Sequence, residues 1–346
     1  MSGIAQSYGY QNAQKLYETY HKSYSAYADY WEQAADYQQQ KTVISKRAKG
    51  KIDFWLILNN FLMINAKECV IIDSWHTFKR AWFLEEHIMR KPQILIFDLD
   101  GTLLRNDKTL SEYTLEILCK CKKCGYLIGI STSRGEQNCL GFLRKMKPDI
   151  LISSGGALVR VNEKIICSSS FSAIETKNFI ESARKICGMD CEITVDTLEA
   201  HYWNYKTDPK EQDKSWGDSI YTDFADFKHE ALKICVEVRH PNLAQKLCEH
   251  FSELDSQHFS DGDWYKFTKS GVTKEKAILA VCETCHADVS EIAAFGDDYA
   301  DMGMLNLCGI GVAMDNAVQE VKDIADDITL SNEEDGVAAY LEKWII

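Results

Sequence analysis

The stretch Ile94-Leu95-Ile96-Phe97-Asp98-Leu99-Asp100-Gly101-Thr102 decides the fold. Its first four residues are a continuous apolar run, which is typical of a strand buried on both faces of a parallel sheet. The run stops at Asp98, and the small and acidic residues that follow indicate a turn. The sequence therefore predicts a buried strand at 94–97 that carries two carboxylates beyond its carboxyl end.

Similar apolar runs recur along the chain, and most of them end at small, polar or acidic residues: 126–130, 150–152, 292–295 and 310–313. Helical segments are predicted between them, at 111–123, 136–146 and 273–285, with Ser111 and Thr273 as N-terminal caps. Strands that alternate with helices imply a parallel sheet with helices on both faces. Ligands of such α/β sheets bind beyond the carboxyl ends of the strands.

The middle of the chain, about 160–265, breaks this alternation. Helical segments and strand-like pieces are mixed there, which indicates an inserted α+β domain. The chain returns to the first sheet near Gly271. We therefore predict a core at 91–160 and 266–346, interrupted by a second domain at 161–265.

Residues 1–90 differ in character from the rest and are predicted to be a helical N-terminal extension. Aromatic residues recur there at steps of three and four, which places them on one helical face: Tyr17, Tyr20, Tyr24, Tyr27 and Trp31. This face can pack on itself or on the main body, or it can act as an arm for oligomerisation or for a protein partner. We favour the first interpretation, and the sequence leaves the second open.

The 346 residues carry a formal net charge of -13 and include 13 cysteines. A general nucleic-acid binder needs clustered Lys and Arg, so no nucleic-acid partner is expected. The N-terminus lacks the pattern of a signal peptide, and cysteines without regular spacing are typical of a reducing cytosol, so we predict a cytoplasmic location. The most apolar stretch, 54–66, contains three Asn and is shorter than the roughly 20 residues that span a bilayer. No membrane association is expected.

Two carboxylates, Asp98 and Asp100, stand two residues apart and can face one pocket. One can attack phosphorus, while the other donates a proton to the leaving oxygen and later activates water. Gly101 lets the backbone turn closely around a bound phosphate. This pattern favours phosphoryl transfer through an aspartyl phosphate at Asp98.

A metal site is predicted at the same edge of the sheet. Asp297 follows the strand at 292–295 and, together with Asp98 and the backbone carbonyl of Asp100, can hold Mg²⁺ through oxygen ligands. Asp298 and Asp301 lie nearby, and one of them can bind the metal directly or through water. The metal would neutralise the repulsion between nucleophile and substrate.

Two further residues are predicted to contact the phosphate. Thr132 ends the strand at 126–130, and its hydroxyl and backbone N–H can hydrogen-bond a phosphoryl oxygen. Lys274 begins a predicted helix, where a cation opposes the helix dipole, so the position indicates an anionic partner. Its ammonium can neutralise both the phosphoryl transition state and the Asp98 carboxylate.

The order and spacing of these residues resemble the four motifs of the haloacid dehalogenase superfamily, in its Cof-like branch with a C2-type cap. The matching positions are 98–102, Thr132, Lys274 and 296–301, and the flanks 131–134, 154–157, 271–274, 311–317 and 334–337 also resemble that branch. The resemblance covers about residues 92–346. It implies an α/β fold with a Rossmann-like parallel-sheet core, a cap formed by the inserted domain, and Mg²⁺-dependent hydrolysis of small phosphorylated metabolites.

The resemblance also implies a role for each matching residue. The expected catalytic residues are the nucleophile Asp98, the general acid/base Asp100, Thr132 and Lys274. The expected phosphate-binding residues are Asp98, Gly101, Thr132, Ser133 and Lys274. The expected metal ligands are Asp98, Asp100, Asp297 and Asp301. Ser133, Gly155 and Ala300 depart from the usual residues of the branch, which bears on substrate and rate more than on reaction type.

We therefore expect a phosphatase that acts on a small phosphorylated substrate, with sugar phosphates as the default class. The cap would set specificity, and a polar cap stretch offers candidates for substrate contact: Asp208, Lys210, Trp216 and Tyr221. Two alternatives stay open. One is a phosphomutase with the same aspartyl-phosphate chemistry, and the other is a non-catalytic binding or regulatory protein on the same scaffold.

Overall fold

The computed structural model describes residues 92–205, 217–259 and 262–346. The predicted N-terminal helical extension and the arm that it could form lie outside the described residues. None of the helices in the described ranges is long and apolar enough to cross a bilayer.

The strands alternate with helices along much of the chain. In chain order the strands are β1 (Ile94–Phe97), β2 (Leu127–Ser131), β3 (Ile150–Ser153), β4 (Leu158–Val161), β5 (Lys164–Ser168), β6 (Ile193–Asp196), β7 (His201–Trp203), β8 (Ile220–Tyr221), β9 (Lys233–Glu237), β10 (Asp255–His258), β11 (Trp264–Thr268), β12 (Ile292–Gly296), β13 (Ile310–Ala313) and β14 (Asp327–Ile328). The α-helices are α1 (Glu112–Lys123), α2 (Leu140–Met146), α3 (Ala173–Cys187), α4 (Pro241–His250), α5 (Lys274–Cys285), α6 (Met302–Leu307), α7 (Gln319–Ile324) and α8 (Gly336–Trp344).

The first sheet has eight strands in the order β14-β13-β12-β1-β2-β3-β4-β5. The strands from β14 to β3 are parallel, and β1 lies between β12 and β2 with all four of its residues buried. This arrangement confirms the predicted parallel-sheet α/β core. It also brings the turns after β1, β2 and β12 to one edge of the sheet.

An antiparallel hairpin, β4–β5, extends this sheet beyond β3. Its turn residues Asn162 and Glu163 both have positive φ, as a tight two-residue hairpin turn requires. The hairpin has no clear signal in the sequence, because β5 is largely exposed and has no continuous apolar run. The hairpin adds two antiparallel strands to one edge of the predicted parallel-sheet core.

The predicted helix caps are present in the structure. Ser111 Oγ accepts a hydrogen bond of 3.0 Å from Thr114 N–H at the start of α1. Lysines in the last turn of α1 lie where the helix dipole favours positive charge. Thr273 caps α5 in the same way, through Lys276 N–H at 3.4 Å, so α5 begins at Lys274 as predicted.

A second sheet has the strand order β10-β11-β9-β6-β7-β8. Helices α3 and α4 cover one of its faces, where Phe179 stacks on Phe251 with 4.1 Å between ring centroids and Phe267 packs against both. Side chains alternate along a strand, so the neighbours of Phe267 on β11, Lys266 and Thr268, lie on the opposite face. That opposite face contacts loops of the first sheet, for example through Lys233 Nζ, which donates to Ser133 O.

The two sheets divide the chain slightly differently from the predicted boundaries. β5 belongs to the first sheet although it lies within 161–265, and β11 of the second sheet extends past 265. Sheet membership therefore changes between β5 and β6 and again after β11. The division into a core at 91–160 and 266–346 and a cap at 161–265 stays a proposal, with these two strands as corrections at its borders.

Candidate active site

The Lys274 side chain joins two of the predicted acidic residues. Its Nζ donates to Asp98 Oδ1 at 2.6 Å and to Asp301 Oδ1 at 2.7 Å. Lys274 is the first residue of α5, and only 3% of it is exposed. Asp98 directly follows β1, and its backbone N–H continues the sheet by donating to Phe295 O at 3.0 Å. The strand end and the helix start thus hold the two charges against each other.

Asp297 lies beside this ion-paired group, at the end of β12. Thr102 Oγ1 donates to Asp297 Oδ1 at 2.8 Å, so the turn after β1 fixes one carboxylate oxygen. Gly101 has a φ of +77°, and a Cβ at this position would overlap the Asp297 carboxylate. A residue with a side chain would therefore displace Asp297 as well as strain the turn.

Asp301 is engaged through both of its carboxylate oxygens. Oδ1 accepts from Lys274, and Oδ2 accepts from the backbone N–H groups of Asp297 and Asp298 at 3.0 and 3.2 Å. The side chain is almost fully buried. Asp301 therefore orients Lys274 and holds the loop after β12 in place.

Burial and mutual repulsion make this acidic cluster electrostatically unfavourable without a further cation. Burial and the neighbouring carboxylates raise the pKa of Asp98, and Lys274 offsets only part of this increase. Burial together with the charges of Asp98 and Asp301 also raises the pKa of Asp297. Burial opposes the charged form of Lys274, but Asp301 and Asp98 outweigh it and raise the pKa of the ammonium.

The same cluster fits a divalent cation. Asp98, Asp297 and Asp301 each offer a carboxylate oxygen, and these oxygens lie within 4.8 Å of one another. Asp298 Oδ1 is buried and accepts no hydrogen bond among the described residues. Hard carboxylate oxygens are the ligands that Mg²⁺ prefers. The donor set is therefore of the right chemistry for Mg²⁺.

Thr132 lies fully buried beyond β2, and its contacts correct one expectation. Its backbone N–H donates to Ile152 O at 2.8 Å and so continues the sheet. The expectation that this N–H binds a phosphoryl oxygen is therefore wrong. Its hydroxyl oxygen accepts from Arg134 N–H at 3.0 Å, which leaves the hydroxyl proton to donate. The following residue, Ser133, is half-buried, and its carbonyl oxygen accepts a 2.6 Å bond from Lys233 Nζ.

Asp100 forms ion pairs that sequence reasoning missed. Arg134 Nε and Nη2 donate to its two carboxylate oxygens at 2.6 and 2.7 Å, and Lys108 Nζ donates at 2.9 Å. Burial alone would raise the pKa of Asp100, but these cations outweigh burial and lower it. In this conformation Asp100 is an ionised carboxylate. The sequence offered a signal in Arg134, which follows Thr132 by two positions.

A second ion-paired group connects the two sheets. Asp196 of β6 pairs with Lys233 of β9 at 2.9 Å and with His201 Nδ1 at 2.6 Å, and it accepts from Ser154 Oγ at 3.2 Å. Because Lys233 also reaches Ser133 O, the second sheet is attached to two loops at the carboxyl edge of the first. His201, whose position the sequence left open, therefore contacts this group.

The other predicted cap contacts are only partly described. Asp208, Lys210 and Trp216 lie outside the described residues. Tyr221 lies on β8, and nearly half of it is exposed. Of the departures from the expected pattern, Gly155 lies in the turn after β3, and Ala300 lines a cleft that Lys274 also borders.

Comparisons with known proteins agree with this geometry. A family model of haloacid dehalogenase-like hydrolases matches residues 95–341. A 5-amino-6-(5-phospho-D-ribitylamino)uracil phosphatase of Bacillus subtilis is 27% identical over 276 residues, covering 73% of this chain and 98% of the relative. A pyridoxal phosphate phosphatase of Escherichia coli is 25% identical over 275 residues, covering 73% and 99%.

Among solved structures, a haloacid dehalogenase-like hydrolase from Bacteroides thetaiotaomicron shares the fold. Its TM-score is 0.66 at 22% identity, and the match covers 73% of this chain and 99% of that one. The family match spans well over half of the chain. The predicted family and the predicted enzyme class are thereby confirmed, and the chain belongs to the haloacid dehalogenase-like hydrolases, with named phosphatases among its relatives.

Proposed function

We propose that the chain is a Mg²⁺-dependent phosphatase of small phosphorylated metabolites, with sugar phosphates as the default class, and that Asp98 is its nucleophile. The observation that carries this proposal is the buried Lys274 ammonium bonded to both Asp98 and Asp301, beside Asp297. A pocket in which one cation holds a carboxylate after a parallel strand suits covalent phosphoryl transfer. The named phosphatase relatives act on small phosphorylated metabolites, which supports the substrate class.

In the first half-reaction, an Asp98 oxygen attacks phosphorus, and the bond between phosphorus and the alcohol oxygen breaks. Lys274 favours the ionised form of Asp98, and its charge offsets the charge that develops on the phosphoryl oxygens. The Thr132 hydroxyl and the loop at Gly101 and Ser133 would bind those oxygens. Mg²⁺ would be held by Asp98 and Asp297, with Asp301 and the Asp100 carbonyl as further predicted ligands, and would neutralise the repulsion between the anions.

Asp100 serves best in the second half-reaction. As an ionised carboxylate it can take a proton from the water that attacks the aspartyl phosphate, which releases phosphate and restores Asp98. The first half-reaction needs the protonated form of Asp100 to donate to the leaving alcohol. Because Arg134 and Lys108 favour the ionised form, we propose that substrate binding exchanges these contacts before the proton is donated.

The test is phosphate release from a panel of small phosphate esters, with Mg²⁺ and with EDTA. We expect release to require Mg²⁺ and to fall by at least about 10³-fold in Asp98→Asn, whose amide is nearly isosteric but not nucleophilic. Asp226→Asn is the matched control, because Asp226 is exposed and its ion pair is with Lys228, which is also exposed. Metal-independent release, or full activity in Asp98→Asn, would refute the proposal.

The same assay separates the two alternatives. A phosphomutase would transfer the phosphoryl group between positions of its substrate, require a bisphosphorylated activator and give no net phosphate. A non-catalytic binding protein would do neither. The cytoplasmic location and a partner-binding role for residues 1–90 stay predictions.

A further inference from the structure

Lys266 of β11 is a buried lysine that forms no ion pair with any residue that the structure describes. Only 6% of the residue is exposed. No hydrogen bond or ion pair connects its Nζ to another group within 92–205, 217–259 and 262–346. Lys233, the buried lysine on the adjacent strand β9, instead pairs with Asp196 and with the Ser133 carbonyl. The two lysines share a sheet face, and only one of them is neutralised.

Lys266 lines a cleft that Lys274 of the proposed reaction centre also borders, together with Gln257 and Thr273. The carboxylates of Asp255 and Glu275 belong to the same lining. A Cβ added to Gly155 would lie 2.8 Å from Lys266 Nζ. Gly155 N–H in turn donates to Thr132 O at 3.0 Å, so the ammonium lies above the loop next to Thr132. The second sheet thus places a positive charge next to the loop that carries Thr132.

Gln257 lies beside this charge. It is the direct cross-strand partner of Lys266 in the antiparallel pair β10–β11, and it lines the same cleft. Its side-chain amide makes no hydrogen bond to the residues that the structure describes. A cross-strand pair on one face brings the two side chains within reach of a single ligand group.

Leaving this charge unpaired is unfavourable for the protein alone. Burial, together with the charges of Lys233 and Lys274, lowers the pKa of Lys266 to about 8. A buried ammonium normally has a carboxylate or several acceptors as partners. An anionic ligand group would supply the missing partner and stabilise the charged form of Lys266.

Building on the proposed phosphatase function, we propose that Lys266 binds a second anionic group of the substrate, a carboxylate or a second phosphate on the leaving group, with Gln257 beside it. Lys274 and Thr132 serve the phosphoryl group that is transferred. Lys266 therefore selects among phosphate monoesters by the charge of their alcohol part, and the preferred substrates carry an anion at both ends.

The experiment compares two matched pairs of esters by steady-state phosphate release. Glycerol 3-phosphate against 3-phosphoglycerate isolates a carboxylate, and fructose 1-phosphate against fructose 1,6-bisphosphate isolates a second phosphate. We expect the wild type to prefer the more anionic ester in at least one pair. Lys266→Met should reduce kcat/KM for that ester by about 10- to 100-fold, the range of a hydrogen bond to a charged group. The loss should fall mainly on KM, and the less anionic partner should change by less than about 3-fold.

Two further variants complete the test. Lys246→Met removes an exposed lysine of α4 and should leave both substrate pairs unchanged. Lys266→Gln keeps a polar head without the charge and should show the same loss as Lys266→Met, so one misfolded variant does not decide the result. Substrate preference that is equal in wild type and in both Lys266 variants would overturn the inference while the phosphatase function stands. Release from other small phosphate esters but from none of these four would also overturn the inference alone, whereas absence of release from the whole panel would overturn both proposals.

Discussion

Asp196→Asn should destabilise the protein by about 3–5 kcal/mol at neutral pH, because it breaks a buried ion pair from one side. Asp196 is 1% exposed and lies between Lys233 Nζ at 2.9 Å and His201 Nδ1 at 2.6 Å. The amide would leave Lys233 as a second buried ammonium near Lys266, with the Ser133 carbonyl as its acceptor. The perturbation therefore tests whether these charges hold the second sheet to the loop beside Thr132.

The pH dependence of this effect has a definite sign. Burial raises the pKa of Asp196, but the charges of Lys233 and His201 outweigh it and hold the folded-state pKa below the ordinary value of 3.8. A carboxylate with a depressed pKa contributes stability that is fully present above the unfolded value and is lost as the pH falls through the folded one. The difference in unfolding free energy between wild type and Asp196→Asn should therefore be full at pH 7 and should shrink below about pH 4.

Urea unfolding of four proteins measures the effect: wild type, Asp196→Asn, Lys233→Met and the double variant. The double variant should lose less stability than the sum of the two single losses, with a coupling free energy of about 1–3 kcal/mol. Asp226→Asn is the control, because its ion pair with Lys228 spans 3.7 Å between two highly exposed side chains and should leave the midpoint unchanged. A double variant whose loss equals the sum of the single losses would refute the reasoning.

Two other predictions concern the reaction centre. Gly101→Ala should abolish phosphate release, because its Cβ would overlap the Asp297 carboxylate. Gly125→Ala is the control: Gly125 also has a positive φ but has open space around it, so the variant should lose about 1 kcal/mol of stability and keep its activity. Equal activity in the two variants would contradict the assigned clash. Asp297→Asn should be more stable than wild type in EDTA, because it removes one of three buried carboxylates that repel one another. Mg²⁺ at 100 times its Kd should stabilise the wild type by about 2.7 kcal/mol, and the variant should lose most of the corresponding rise in Tm. A variant that responds to Mg²⁺ like wild type in a thermal melt would reject Asp297 as a ligand.

Local sequence patterns were sufficient for the core because the core elements are local. The strand predicted at 94–97 matches β1 residue for residue, and the helix predicted from Ser111 to 123 matches α1 with its cap. A continuous apolar run and a capping side chain are both read over a few adjacent residues. The order of the acidic and basic motifs then indicated which strand ends meet, and the structure brings Asp98, Lys274 and Asp301 together.

The contacts of Asp100 could not be predicted in the same way. Arg134 lies 34 positions from Asp100, and its fork reaches the carboxylate only because β1 and β2 are neighbours and their turns lie at one edge. The pattern of residues gave Asp100 a role as acid or base but not its ionisation state. That state depends on Lys108 and Arg134, whose side chains converge on the carboxylate from two different turns.

The two lysines of the second sheet show why a buried charge can be interpreted only in three dimensions. Lys233 and Lys266 lie on adjacent antiparallel strands, on the face opposite to the apolar core. Sequence alone gives them the same description, a lysine within an apolar strand. Asp196, 37 positions before Lys233, neutralises the first and fixes the sheet to the Ser133 loop. No carboxylate forms an ion pair with Lys266 among the described residues, although Asp255 and Glu275 line the same cleft as Lys266 and Lys274. Lys233 thus helps to hold the two sheets together, whereas Lys266 can bind an anionic group of a ligand.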